Sequence, residues 1–158
     1  MGRHAGYLAQ SVGISVGATA VLVPELPLDF ERDVVEKIRR ARLAGTTHPM
    51  VVVAEGVASA TDIGRRIEES IGLEPRVTVL GHIQRGGSPT VRDREIASLM
   101  GCEAVQVLAE KTGNRVVAMQ NGGIVDIDME EALAMTKTLD MEQYSMLEFL
   151  TKTRLDID

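Results

Sequence analysis

The chain has 158 residues, of which 44% are hydrophobic, 25% charged and 3% aromatic, and its formal net charge is −6. A chain of this length buries roughly 70% of its unfolded surface, so we expect one domain over residues 1–158. The negative charge argues against nucleic acid or an anionic membrane as partner, and no apolar run reaches the ~18 residues of a membrane span. The single cysteine, Cys102, suits a reducing cytoplasm.

Short apolar runs predict strands, and apolar residues recurring every three or four positions predict helices. The predicted strands are residues 18–24, 50–55, 76–80, 116–120 and 123–127. The predicted helices are residues 4–15, 30–43, 60–71, 89–110, 128–137 and a tail from 141 onward. Asn121-Gly122 between the last two strands is typical of a hairpin turn. This alternation predicts an α/β fold with a mostly parallel sheet covered by helices, a C-terminal β-hairpin and helices.

A glycine-rich string, Gly81-His-Ile-Gln-Arg-Gly-Gly-Ser-Pro89, connects the third predicted strand to the longest predicted helix. Its glycines allow a ligand to approach the backbone, and the start of a helix favours an anion. Arg85 adds a bidentate phosphate donor, with His82 nearby. The same residues also fit a plain tight turn in which Ser88 caps the helix. The string matches neither the P-loop nor the dinucleotide-binding motif.

Two further charged residues lie at strand ends. Glu55 follows the second strand, where a carboxylate can accept hydrogen bonds from sugar hydroxyls; an ordinary exposed loop glutamate is the alternative. Arg76 begins the third strand, roughly 16 Å from its other end, so we expect it to serve a neighbouring subunit or solvent. The three histidines and Cys102 share no metal-ligand spacing, which predicts no metal site and a core role for Cys102.

These residues resemble the bacterial 6-phosphofructokinase family. The resemblance is carried by Met1-Gly2-Arg3, Val23-Pro24-Glu25, Val53-Ala54-Glu55-Gly56 and above all the ten residues from Leu80 to Pro89. It extends along essentially the whole chain and is weakest after about Lys137. It implies that the chain corresponds to the C-terminal half of an enzyme about twice as long.

The resemblance implies a role for each matching residue at the start of the chain and after the second strand. Met1, Gly2 and Arg3 match a motif that contacts fructose 6-phosphate. Arg3 also contacts the phosphoryl group in transfer, which makes it the one catalytic residue implied here. Glu55 matches a glutamate that binds the sugar hydroxyls. The implied substrate is therefore fructose 6-phosphate.

Three further matches concern the sugar phosphate group. His82 and Arg85 match residues that hold the 6-phosphate, and Arg76 matches an arginine that reaches the 6-phosphate in an adjacent subunit. Members of the family are typically homotetramers, so the resemblance implies a homo-oligomer. Allosteric members carry an acidic residue where this chain has Thr19 and a lysine cluster where it has residues 44–47, which argues against their effector site. The nearby Arg39, Arg40 and Arg42 leave an effector-anion site open as an alternative.

The family's nucleotide loop, its Mg²⁺-holding acidic residue and its aspartate base belong to the other half. ATP and Mg²⁺ are therefore the implied cofactors of the intact enzyme, with no site on this chain, and we expect the isolated chain to be inactive. Two alternatives remain at this stage. One is a pyrophosphate-dependent relative, and the other is a non-catalytic module that binds sugar phosphates or assists assembly.

Overall fold

A computed structural model describes residues 4–110 and 113–150. In chain order, the helices and strands are α1 (Tyr7–Val16), β1 (Ala20–Leu22), α2 (Lys37–Leu43), β2 (Val51–Val53), α3 (Ala60–Ile71), α4 (Val91–Glu110), β3 (Arg115–Gln120), β4 (Gly123–Asp128), α5 (Met129–Ala134) and α6 (Met141–Leu150). A π-helical turn, Glu31–Glu36, leads into α2. None of these helices in the described part of the chain combines the length and apolarity needed to cross a membrane.

The described residues form two compact units. The first contains residues up to Val79 together with those from Thr138, and the second runs from Leu80 to Lys137. The first unit has a parallel strand pair with helices, and the second has an antiparallel hairpin with helices. The fold is α/β, which confirms the predicted class. That the whole chain makes one domain stays a prediction.

In the first unit, β1 and β2 pair in parallel, with Ala20 opposite Val51. Side chains on a strand alternate between its faces. Accordingly, Val21 packs in one buried cluster with α1 and α6 residues, and Leu22 packs in another with α2 and α3 residues. Apolar side chains therefore cover both faces of β1, as its continuous apolar sequence predicts.

In the second unit, β3 and β4 pair in antiparallel register from Arg115 opposite Asp128 to Gln120 opposite Gly123. The two residues between them, Asn121 and Gly122, both have positive φ angles of 51° and 83°. This is the backbone of a type I′ turn, and it confirms the hairpin predicted from Asn-Gly. Helix α4 packs across both strands.

The predicted strand over residues 76–80 is wrong, because residues 73–80 have no regular secondary structure. A strand needs a hydrogen-bonded neighbour, and among the described residues β1 and β2 pair only with each other. Instead, Val77 packs against α3 so closely that a Cβ on Gly64 would lie 2.6 Å from its Cγ2 atom. Val79 remains 73% exposed.

Helix α4 also departs from the predictions for its buried side. Cys102 is exposed, so its predicted core role is wrong. Val107 is the buried residue of α4. The helix has no strong apolar stripe along its twenty residues. Its sequence therefore does not predict which of its faces is buried.

Candidate functional site

The glycine-rich string forms one turn of 3₁₀ helix over Gly81–Arg85. Gly81 (φ 57°) and Gly86 (φ 94°) lie at its two ends, both in the left-handed region that favours glycine. Residues three apart eclipse one another in a 3₁₀ helix, so His82 and Arg85 share one face of the turn. Both are exposed to solvent. The turn therefore presents an imidazole and a guanidinium side by side, an arrangement that suits a phosphate group.

The start of the following helix is capped by its own side chains. Thr90 donates from its N–H and its hydroxyl to Oδ2 of Asp93, at 2.8 and 2.7 Å. Its hydroxyl oxygen accepts from the Asp93 N–H at 3.3 Å. This is a capping box, and it makes the prediction of Ser88 as N-cap and residue 89 as the first helical residue wrong. Because a carboxylate already occupies the helix start, anion binding here depends on His82 and Arg85.

Asp93 makes the stability of this cap depend on pH. The hydrogen bonds from the Thr90 hydroxyl and N–H lower the pKa of Asp93. A lowered pKa stabilises the fold above the unfolded-state value of about 4 and loses that contribution as the pH falls through the folded-state value. We expect Asp93→Asn to remove this part of the decline in melting temperature below about pH 4. Glu95→Gln on the same helix is the control, and equal acid sensitivity of Asp93→Asn and the unsubstituted chain would contradict the expectation.

A glutamate follows each of the two parallel strands. Residues 23–26 and 54–57 form turns, each closed by a backbone hydrogen bond from its fourth N–H to its first carbonyl, of 3.3 and 3.0 Å. Because parallel strands end at the same edge of a sheet, Glu25 and Glu55 lie along one edge. Glu55 is exposed there. Glu25 accepts a hydrogen bond from the Gly6 N–H at 2.8 Å.

The other predicted site residues are more dispersed. Arg76 is exposed on an irregular segment of the first unit, residues 73–79. The strand on which Arg76 was predicted does not form, and its predicted role at a neighbouring subunit stays a prediction. Met1, Gly2 and Arg3 lie outside the described residues. The structure thus places His82 and Arg85 on one turn of the second unit, and Glu25 and Glu55 along one strand edge of the first unit.

Sequence reasoning missed two contacts in these regions. The Thr90–Asp93 box has a local signal, a threonine followed three residues later by an acid, which identifies the helix start. Glu25 belongs to a motif quoted above, but nothing local connects it to Gly6, nineteen positions away. In residues 4–110 and 113–150, no three His, Cys, Asp or Glu side chains are close enough to hold a metal ion.

The fold and this cationic turn define an α/β protein with the features of a phosphate-binding site. A family model described as Phosphofructokinase matches residues 1–108, so the chain belongs to the phosphofructokinase family.

Curated relatives extend this match along most of the chain. The chain is 47% identical over 146 residues to the ATP-dependent 6-phosphofructokinase of Bacillus cytotoxicus, covering 92% of this chain and 46% of that protein. The enzyme of the same name from Bacillus mycoides is 48% identical over 146 residues, which again cover 92% of this chain and 46% of that protein. The chain thus spans about half the length of the curated relatives it matches. A solved structure of phosphofructokinase from Saccharomyces cerevisiae is similar with a TM-score of 0.76 and 28% identity, covering 96% of this chain and 21% of that one.

Proposed function

We propose that this chain is the fructose 6-phosphate-binding part of an ATP-dependent 6-phosphofructokinase, which transfers a phosphoryl group to O1 of the sugar. The observation that carries the proposal is the shared exposed face of His82 and Arg85 on the 3₁₀ turn. Arg85 can donate two parallel hydrogen bonds to phosphate oxygens, and His82 adds a third donor. Two donor side chains three residues apart on one turn suit a terminal phosphate group.

The remaining roles follow from the family. Glu55 accepts hydrogen bonds from sugar hydroxyls, for which its exposed position at the carboxyl edge of β2 is suitable. Met1, Gly2 and Arg3 contact the substrate, and Arg3 stabilises the phosphoryl group in transfer. Arg76 serves the 6-phosphate site of a neighbouring subunit in a homo-oligomer, with the tetramer as the expected form. The proposal also includes a single domain and a cytoplasmic location.

ATP is the proposed phosphoryl donor, and Mg²⁺ is the metal expected with it. The names of the Bacillus relatives favour ATP over pyrophosphate. The chain spans 46% of the Bacillus cytotoxicus enzyme, and we assign both cofactor sites to the part of the enzyme that it does not span. In-line phosphoryl transfer requires donor, metal and acceptor to be held together, and the isolated chain is therefore expected to give no turnover. ATP-dependent consumption of fructose 6-phosphate by the purified chain in a coupled assay would contradict this.

A calorimetric titration of the chain tests the proposed binding function. We expect fructose 6-phosphate to bind saturably, whereas fructose, which lacks the phosphate, gives no heat of binding at the same concentrations. The reason is that the phosphate contributes the charge-assisted hydrogen bonds on which the site depends. Equal responses to the two sugars, or no binding of fructose 6-phosphate at millimolar concentration, would contradict the proposal.

A further inference from the structure

Helix α4 has apolar side chains on two opposite sides, and the hairpin of β3 and β4 covers one of them. On the covered side, Val107 is 7% exposed, and Met100 and Ala104 are half-buried. These residues recur at the three- and four-residue spacing of one helix face. Because α4 packs across both strands of the hairpin, this face is the one that meets them.

The opposite side of α4 forms a second stripe, the outer stripe, which is open to solvent. Its members follow one another at intervals of three and four residues and are Val91, Arg94, Ser98, Gly101, Val105 and Leu108. Val91, Val105 and Leu108 are 83%, 66% and 82% exposed. Since residues two apart on a helix do not face each other, Val105 points away from the covered Val107.

Two apolar sides on one helix are typical of a helix that lies between two layers of structure. Large exposed apolar side chains on one surface also mark a contact with another polypeptide. The middle of the outer stripe is suited to a close contact, because a Cβ on Gly101 would have no neighbour within 4 Å. The hairpin provides one of the two layers in the second unit, and the outer stripe is the place for the other.

The length of the relatives indicates what covers the outer stripe. The match takes in 92% of this chain but only 46% of the Bacillus cytotoxicus enzyme, so more than half of that enzyme lies outside the matched region. The stripe carries a single charged side chain, Arg94, and its complement is therefore a mainly apolar surface. A second copy of this chain is the alternative occupant.

We propose that the outer stripe of α4 is the surface on which the remaining part of the enzyme packs, so that α4 lies between that part and the hairpin. The inference rests on the proposed function for its premise that the chain is one part of a longer 6-phosphofructokinase. Val105 and Leu108 are the main apolar contacts, and Gly101 lets the partner approach the helix backbone.

Cys102 is a natural reporter of this contact. It is the single cysteine of the chain, it is exposed, and it lies next to Gly101 on the outer side of α4. In the experiment, the tagged chain is co-expressed with the part of the Bacillus cytotoxicus enzyme that it does not match. Alkylation of Cys102 by N-ethylmaleimide is then followed by mass spectrometry. We expect the two polypeptides to copurify and the alkylation rate to fall at least about tenfold, because a covered thiol reacts only when the contact opens.

A charge in the outer stripe should prevent the contact. Val105→Glu places a carboxylate there, and we expect at least about tenfold less recovered complex, because burying an unpaired charge is unfavourable. Gln106→Glu is the matched control, since it adds the same charge at an exposed position on the same turn but outside the stripe. It should copurify as the unsubstituted chain does. Both positions are exposed, so both variants should keep the melting temperature of the chain.

Several outcomes would overturn the inference. They are the absence of a complex, equal reactivity of Cys102 with and without the other polypeptide, and equal recovery of Val105→Glu and Gln106→Glu. If the alkylation rate of the chain alone falls as its concentration rises, a second copy covers the stripe, and the inference is also wrong.

These measurements need neither ligand nor turnover, so they separate this inference from the proposed function. A chain that forms the complex with Cys102 protected but does not bind fructose 6-phosphate contradicts the proposed function and supports the docking surface. A chain that binds fructose 6-phosphate but leaves Cys102 equally reactive in the co-expressed sample contradicts the docking surface alone.

Discussion

Replacing Arg85 with alanine is expected to weaken the binding of fructose 6-phosphate by roughly a hundredfold, since hydrogen bonds to a charged group contribute about 1.5–3 kcal/mol. The substitution should leave folding intact, because Arg85 is exposed on the 3₁₀ turn and the cap of α4 uses Thr90 and Asp93. Calorimetric titration of the variant measures the loss directly. Arg85→Lys should recover only part of it, because lysine keeps the charge but not the bidentate geometry.

Arg92→Ala is the matched control for this experiment. Arg92 is an exposed arginine in the first turn of α4, so its removal changes the net charge of the same unit by the same amount. We expect its affinity for fructose 6-phosphate to stay close to that of the unsubstituted chain. If both variants lose affinity equally, the phosphate responds to the overall charge of the surface, and His82 and Arg85 do not form a specific site.

The second large effect concerns the contact between α1 and β1. Gly13 is buried in α1, and a Cβ there would overlap Cγ2 of the buried Val21. Gly13→Ala should therefore lower the free energy of unfolding by about 1–3 kcal/mol, as an overpacked core does. Gly101→Ala is the opposite case, since a Cβ there has no neighbour within 4 Å in the middle of α4.

In Gly101→Ala, the higher helix propensity of alanine should raise the free energy of unfolding by about 0.5–1 kcal/mol. Urea unfolding followed by circular dichroism measures both variants. If Gly13→Ala and Gly101→Ala change the free energy of unfolding in the same direction and by the same amount, the contact between Gly13 and Val21 does not limit the packing of α1.

Local signals account for the parts of the fold that the sequence predicts well. The predicted bounds of α3 agree with the structure because isoleucines four residues apart define its buried face and Gly72, at φ 65°, ends it. The hairpin is predicted because Asn121-Gly122 encodes the turn itself. The segment 76–80 also has β-branched residues, but a strand needs a hydrogen-bonded partner as well. A short window of sequence does not show whether such a partner is available.

Local sequence signals likewise predict one part of the candidate site and miss another. The glycines around His82 and Arg85 indicate a turn with an exposed cationic face, and the structure has such a turn. The helix start that was predicted to add an anion site is capped by Asp93, because a threonine and an acid three residues apart form a reciprocal capping box. The contact between Glu25 and Gly6 depends on how α1 packs against the end of β1, and a sequence pattern does not contain that information.

The central claim is that the turn with His82 and Arg85 binds the phosphate of fructose 6-phosphate. Its most direct test is a map of backbone amide chemical-shift changes in the ¹⁵N-labelled chain during titration with this sugar. We predict saturable changes that are largest over residues 81–87, with further changes around Glu55. If the largest changes instead fall on the arginine-rich surface of α2 around Arg39 and Arg42, or if the turn does not respond, the account of the site is wrong.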